Sequence, residues 1–319
     1  MTPQRECPDE NQLGLLVDGE LDDSLRLSLE HHLDGCSACS SVLAEFARVT
    51  PGREVPPRYQ LIRRLGAGAM GVVWEADDTA LGHRVALKFL QPDRVADVQY
   101  RGRLLREAHS LARLRHPNIV TVYELGRCGD GPDAEMFLSL ELVEGIDART
   151  WRGAAPRSDA VVLALWRQVA IALRDVHRAG IVHRDLKPDN VLVAAGDRAV
   201  LCDFGFATRV AGDGAATLTS SGQVIGTPLY MALEQLCGEP ATAASDQFAL
   251  CVCLWEALSH GQPFQVRGTI AARVLAMQAR PAIPDGVDRE LFAVLARGLD
   301  PKPAQRWPDI AALAAALFA

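Results

Sequence analysis

Two hydrophobic rhythms divide this chain of 319 residues. Near the start, Leu21, Leu25, Leu29, His32 and Leu33 recur at three- and four-residue steps, which predicts a helix over 21–33. A shorter helix is expected over 11–17, and Val42, Leu43 and Phe46 mark one face of a third. Gly35 is placed to end the second helix in a left-handed cap. The stretch "TPGREVPP" (50–57) has the proline and glycine content of a linker. From Tyr59 to about Val143 the pattern becomes strand-rich, with one helix at 97–114. From Glu144 onward helices dominate, including a strongly apolar one at 245–258. The expected class is α+β: an all-α module (1–49), a linker (50–58), a β-rich segment (59–143) and a helical segment (144–319). Neither an internal repeat nor a low-complexity tract interrupts this order.

Charge sharpens the first boundary. The net charge is −7, and residues 1–50 carry ten acidic groups against Arg5, Arg26 and Arg48, so the whole excess lies there. That asymmetry marks a separate acidic module and argues against nucleic acid as its partner. With 49% hydrophobic and 23% charged residues the composition is that of a globular protein. "MTPQRECPDE" lacks the basic start and apolar run of a leader peptide. The longest apolar runs, "VLALW" and "AALAAALFA", fall short of the ~20 residues of a membrane span. The expectation is a cytoplasmic chain with no membrane span. The eight cysteines show no secreted disulfide pattern and are expected as reduced thiols.

The candidate chemistry begins at "LGAGAMGVVW" (65–74), where Gly66, Gly68 and Gly71 form G-x-G-x-x-G-x-V. Such glycines let a backbone approach phosphate oxygens and present N–H groups to them. A dinucleotide-binding motif has a similar spacing but opens a helix. Here "VVWEA" continues as a strand, a turn follows at 77–83, and the next strand, "RVALKFL", carries Lys88.

From these residues onward the chain resembles the eukaryotic-like Ser/Thr protein kinases of bacteria, over about residues 59–310. The resemblance implies a two-lobed kinase fold, a small N-lobe (59–143) and a larger C-lobe (144–319). It implies ATP and Mg²⁺ as cofactors, with Mn²⁺ as an alternative, and protein Ser/Thr hydroxyls as acceptors. "VALK" (85–88) stands at the V-A-I-K position, so Lys88 would hold the α- and β-phosphates, paired with Glu107 of "LLREAHSLARL". Gly66, Ala67, Gly68, Gly71, Val73 and Ala86 would line the nucleotide. "HPNIV" (116–120) follows, as in many kinases. "FLSLELVEG" (137–145) resembles the hinge, with adenine bonded to backbone near Glu141–Val143 and Leu140 guarding the back pocket. In "HRDLKPDN" (183–190), Asp185 would orient the acceptor hydroxyl and take its proton, Lys187 would neutralise the transferred phosphoryl, and Asn190 would bind a magnesium ion. Asp203 of "DFG" would be the second metal ligand.

"GTPLYMALEQ" (226–235) departs from the family pattern, with Leu233 where proline is usual. Glu234 is kept and is expected to pair with Arg306 of "DPKPAQRW". Asp246 matches the helix residue that braces the catalytic loop, and Cys251 replaces a usual glycine. Arg184 would answer a phosphate on Thr217, Thr219, Ser220 or Ser221. Thr227 is expected to hydrogen-bond Asp185 and Lys187.

His32, Cys36 and Cys39 make H-x₃-C-x₂-C. Zinc prefers four N/S ligands, and two thiolates around a tight turn with a helix-borne histidine suit a tetrahedral site. A helical unit of this size buries little core, so a metal staple would supply stability. His32 shares the face of Leu25 and Leu29, whereas His31 points away. Cys7 is the natural fourth ligand. The segment, over about residues 5–49, resembles the zinc-binding domain of bacterial anti-sigma factors, which implies a structural Zn²⁺ and a protein partner of the acidic module.

The leading reading is a Ser/Thr protein kinase that autophosphorylates its activation loop and carries a zinc module that recruits or senses. The competing reading is a catalytically weak or inactive kinase scaffold whose zinc module binds a sigma-like or other regulatory partner.

Overall fold

The computed structural model describes residues 8, 16, 23–33, 36, 39, 55–68, 71–90, 98–129, 134–205, 228–264 and 270–318. The helices expected near 11–17 and 42–46, Gly35, Cys7, Thr217, Thr219, Ser220, Ser221 and Thr227 lie outside the described residues. Two compact units emerge, one of residues up to 105 with 122–142, the other of 106–121 with 143–319.

In the first unit, helix α1 (Asp23–Leu33) coincides with the expected periodic stretch and buries Leu29. Strands β1 (Tyr59–Gly68), β2 (Gly71–Asp78), β3 (His83–Leu90), β4 (Val122–Cys128) and β5 (Glu135–Glu141) form an antiparallel sheet in the order β1-β2-β3-β5-β4. Alternation assigns its faces. Ala76, Val85, Leu87, Phe89 and Phe137 join Tyr59 and Cys128 in one buried cluster. The register sets Val73 opposite Lys88 and Ala86 opposite Leu140, which puts Val73, Ala86, Lys88 and Leu140 on the other face. Asp78 anchors the β2–β3 turn: its carboxylate accepts from the backbone N–H of Ala80 and Leu81 and from Arg58. The Arg58 guanidinium holds the Asp78 carboxyl below the usual carboxylate range against the opposing effect of burial.

The β1–β2 hairpin closes with Gly68 paired to Gly71. Gly71 has φ +127°, and a Cβ there would lie 1.8 Å from the carbonyl oxygen of Phe89. Only glycine satisfies both conditions. Gly71→Ala is therefore expected to destabilise the protein by about 1–3 kcal/mol through backbone strain, and a thermal melt of the purified variant measures it.

Helix α2 (Val98–Arg113) carries Glu107. The second unit begins within it and holds β6 (Gly145–Asp147), α3 (Ala148–Ala154), α4 (Asp159–Arg178), β7 (Val191–Ala194), β8 (Arg198–Leu201), α5 (Leu233–Leu236), α6 (Ala243–Ser259), α7 (Ile270–Ala276), α8 (Arg289–Gly298) and α9 (Ile310–Leu317). Helix α4 buries Val162, Leu165, Trp166, Val169, Ala170, Leu173 and Val176, the three- and four-residue steps of one face. It stops at Gly180, φ +74°, where the Gly180 N–H donates to His177 and the Ile181 N–H to Val176. That pair of bonds is a Schellman stop, and it turns the chain into the loop 181–190. Helix α6 is buried on nearly every side, as its apolar sequence demands.

Cys251 of α6 has Gly298 of α8 as its packing partner. A Cβ on Gly298 of α8 would meet its Sγ at 2.3 Å, so the thiol occupies the space that Gly298 leaves. Burial pushes that thiol up to about 12, keeping it neutral.

Candidate active site and metal cluster

The loop between α4 and β7 is suspended from α6. The Asp246 carboxylate accepts from the backbone N–H of His183 at 2.7 Å and of Arg184 at 2.8 Å, and lies 2.8 Å from His177 Nε2. This is the brace the sequence led us to expect of Asp246. His183 is fully buried; its Nε2 donates to the Cys202 carbonyl at 2.9 Å and its Nδ1 faces the Asp185 N–H at 3.4 Å. Burial lowers its pKa, consistent with a neutral ring donating on one side and accepting on the other.

Asn190 ends a 3₁₀ turn (Pro188–Asn190) and is buried. Its Nδ2 donates to the Asp185 carbonyl at 2.7 Å and to Asp185 Oδ2 at 3.0 Å, which leaves Oδ1 as an acceptor. Lys187 Nζ lies 3.3 Å from Asp185 Oδ2. The β7–β8 hairpin pairs Val191 with Leu201, and the Cys202 N–H donates to the Asn190 carbonyl at 3.0 Å. Hairpin register thus brings Asp203, 13 positions along the chain, beside Asn190. Asp203 has φ +53° and Arg184 φ +71°, left-handed conformations that few non-glycine residues adopt. An amide oxygen and a carboxylate are hard oxygen donors, the chemistry that a divalent cation bridging phosphates requires.

The Glu107 carboxylate pairs with Arg184. Arg184 NH2 meets Oε1 at 2.6 Å and NH1 meets Oε2 at 2.9 Å, so both oxygens are used. Lys88 is buried on β3. The Glu234–Arg306 tie is present as expected: NH1 to Oε1 and NH2 to Oε2, each at 2.8 Å, with Ser245 Oγ donating to Oε1. Leu233 opens α5 without disturbing that pair.

Sequence reasoning passed over a polar group beside this loop. Arg149 donates to Asp189 at 2.9 and 3.2 Å, to Glu256 at 3.3 Å and to the Tyr230 hydroxyl at 2.8 Å, while that hydroxyl donates to Glu256. Burial acts to raise the Asp189 carboxyl, and the Arg149 guanidinium outweighs it, holding Asp189 below the usual carboxylate range. Asp189 within "HRDLKPDN" was the available signal, but nothing in sequence spacing names residues 149, 230 and 256 as its company.

In the first unit, His32, Cys36 and Cys39 place their ligand atoms within 4.8 Å of one another, with His32 Nε2 3.3 Å from Cys39 Sγ. Donors around one tetrahedral zinc sit roughly 3–4 Å apart, given Zn–S of about 2.3 Å and Zn–N of about 2.0 Å. The donor set fits zinc. Among the described residues these three form the one candidate metal cluster of histidine, cysteine or carboxylate side chains.

Residues 59–316 match the family model for the protein kinase domain. The chain belongs to the protein kinase family. Residues 10–40 of this kinase also match a zinc-finger family model, a span that contains His32, Cys36 and Cys39 and excludes Cys7. Among its relatives are the serine/threonine-protein kinase PknD of Mycobacterium tuberculosis, 36% identical over 264 residues, and PknE of Mycobacterium bovis, 35% identical over 269. These alignments cover 81% and 82% of this kinase but 39% and 46% of those proteins, so it spans less than half of their length. The crystal structure of the PknI kinase domain of Mycobacterium tuberculosis aligns with a TM-score of 0.63 at 29% identity, covering 84% of this chain and 98% of that one. Membership of this family implies ATP and a divalent metal as cofactors. Among the described residues no helix is long and apolar enough to cross a membrane.

Proposed function

We propose that this chain is a Ser/Thr protein kinase that transfers the γ-phosphoryl of ATP, with Mg²⁺, to protein hydroxyls. The observation that carries the reading is the cluster of Asp185, Lys187 and Asn190 with Asp203 delivered beside it. Asp185 accepts the proton of the acceptor hydroxyl at Oδ1, its Oδ2 being engaged by Asn190 and Lys187. Lys187 supplies positive charge where the phosphoryl group passes, and Asn190 Oδ1 with the Asp203 carboxylate would hold the metal. On the first unit, Gly66, Ala67, Gly68 and Gly71 would cover the phosphates, Val73 and Ala86 would pack on the adenine, and Lys88 would hold the α- and β-phosphates. Backbone near Glu141 and Val143 would bond the adenine edge. When bound, Mg-ATP would supply the electrophilic phosphorus and the positive charge that offsets its phosphate oxygens. Labelled-phosphate transfer to a protein acceptor, compared with Asp185→Ala, tests the reading. Equal transfer by the two proteins would overturn it, and an inactive parent chain would support the scaffold reading.

The Arg184–Glu107 pair gives this reading a regulatory form. A phosphate on the segment containing Thr217, Thr219, Ser220 and Ser221 would compete with Glu107 for Arg184. Mass spectrometry after incubation with ATP is expected to find phosphate on that segment; an unmodified segment in an active enzyme would sink the idea.

In the N-terminal module, Cys7, His32, Cys36 and Cys39 would close a structural zinc site with no open coordination position, and its acidic surface would serve a protein partner. Purified protein is expected to contain about one equivalent of zinc, removable by chelator and lost in Cys36→Ser, by atomic absorption. Metal-free protein in the native preparation would refute the assignment.

A further inference from the structure

A cavity of about 590 Å³ opens in the second unit, with Arg149, the partner of Asp189, in its lining. It is lined by residues of α3, by 155–157, by Trp166 of α4, by Pro188, and by the C-terminal half of α6 with His260. Its volume falls within the range of small-molecule sites, roughly 300–1,000 Å³. The floor is apolar, with Trp151, Trp166, Cys253 and Ala257 all buried.

The charges around it do not balance. Three guanidiniums, of Arg149, Arg152 and Arg157, line the cavity with one carboxylate, Glu256. Arg149 and Glu256 satisfy each other, with Asp189 and Tyr230. Arg152 donates Nε to the Ala257 carbonyl at 2.9 Å and NH2 to His260 Nε2 at 2.8 Å. Since arginine only donates, His260 Nε2 is the acceptor there. Arg157 lies 4.0 Å over the Trp151 ring and donates to the Ala155 carbonyl at 2.9 Å. Among the described residues neither Arg152 nor Arg157 forms an ion pair with a carboxylate.

A plain structural reading accounts for part of this. Arg152 caps the carbonyl end of α6, and Arg157 shields an indole. Those contacts use two of the five N–H donors on Arg152 and one on Arg157, and both side chains line the cavity. Planar guanidinium forks at the mouth of an apolar-floored cavity are the arrangement that binds phosphate and carboxylate oxygens.

We infer that this cavity is a binding site for a small organic anion bearing a phosphate or paired carboxylates, held by Arg152 and Arg157 over the Trp151–Trp166 floor. The inference stands apart from the phosphotransfer reading and needs no catalysis. It predicts selectivity for multiply charged anions of small-molecule size, because the cavity's volume and two cations without a carboxylate partner set both limits.

The test titrates the full chain with citrate and, separately, inorganic phosphate, following the indole N–H signals of Trp151 and Trp166 by NMR. Saturable shifts confined to these two indoles are expected, at least 10-fold weaker in Arg152→Gln/Arg157→Gln and partly retained in Arg152→Lys/Arg157→Lys. Glycerol, a neutral probe, should leave the signals in place. Shifts absent from the wild-type chain, or unchanged in the glutamine variant, overturn the inference. So do shifts spread evenly over all five tryptophans of the chain, which mean a salt effect. A response to an Asp/Glu-rich peptide but to neither small anion would instead assign the face to protein docking. Wild-type data alone decide between these outcomes if the glutamine variant fails to fold.

Discussion

Asp185→Ala is expected to lower kcat for phosphotransfer by about 10²–10⁴-fold, the usual contribution of a positioned general base. The KM for ATP should change far less, because Asp185 serves the acceptor hydroxyl and leaves the nucleotide to other groups. The hydrogen bonds refine this result. Asp185 Oδ2 accepts from Asn190 and faces Lys187, so truncation to alanine also removes a partner from both. Asp185→Asn keeps an oxygen for those contacts and removes only the capacity to take a proton. If Asp185 works as a base, the two variants should be similarly slow. If it serves only to position Asn190 and Lys187, the asparagine variant should recover most of the activity. Steady-state kinetics on both, with melting curves to verify folding, separates these outcomes.

Arg306→Met should be the most destabilising single change in the second unit. Arg306 and Glu234 are buried against each other by two hydrogen bonds, and Arg306 also donates to the carbonyls of Ala244 and Asp300. Removing the cation leaves a buried carboxylate with no countercharge, held by Ser245 and a backbone N–H. Breaking one side of such a pair costs about 3–5 kcal/mol, enough to lower the melting temperature on the order of 10 °C. The pH dependence follows from the Glu234 carboxyl. Burial acts to raise its pKa, but Arg306 outweighs burial and holds it below the ordinary value. A depressed carboxylate stabilises the fold above its unfolded pKa, and that contribution is lost as pH falls through the folded pKa. In the variant the unpaired carboxylate takes up a proton more readily. The gap between parent and variant should therefore narrow on acidification, measured as melting temperature from neutral to mildly acid pH. A constant gap would mean that the loss comes from packing.

The sequence made some features of this molecule easy to read and hid others, for physical reasons. Local spacing was informative where chemistry depends on it. The glycines of 66–71 belong to a strand hairpin, and "HRDLKPDN" folds back on itself within eight residues. The Asp246 brace and the Glu234–Arg306 tie were also legible, through family resemblance, although 63 and 72 positions separate their partners. The Arg184–Glu107 pair was not, because an ion pair is chosen by the placement of whole elements, which no local spacing encodes. The cation cluster of Arg149, Arg152 and Arg157 reads in sequence as an ordinary polar surface. It gains meaning only when the end of α6 and the loop at Pro188 close around it.

The thiol of Cys251 resting in the space left by Gly298 has a consequence for inheritance. The two positions cannot drift independently: any side chain at 298 collides with the sulfur, and a glycine restored at 251 opens a void between α6 and α8. A lineage that carries glycine at 251 is free to place alanine at 298, whereas this one is not. The pair should travel together through descent, as a two-letter mark of the branch to which this chain belongs.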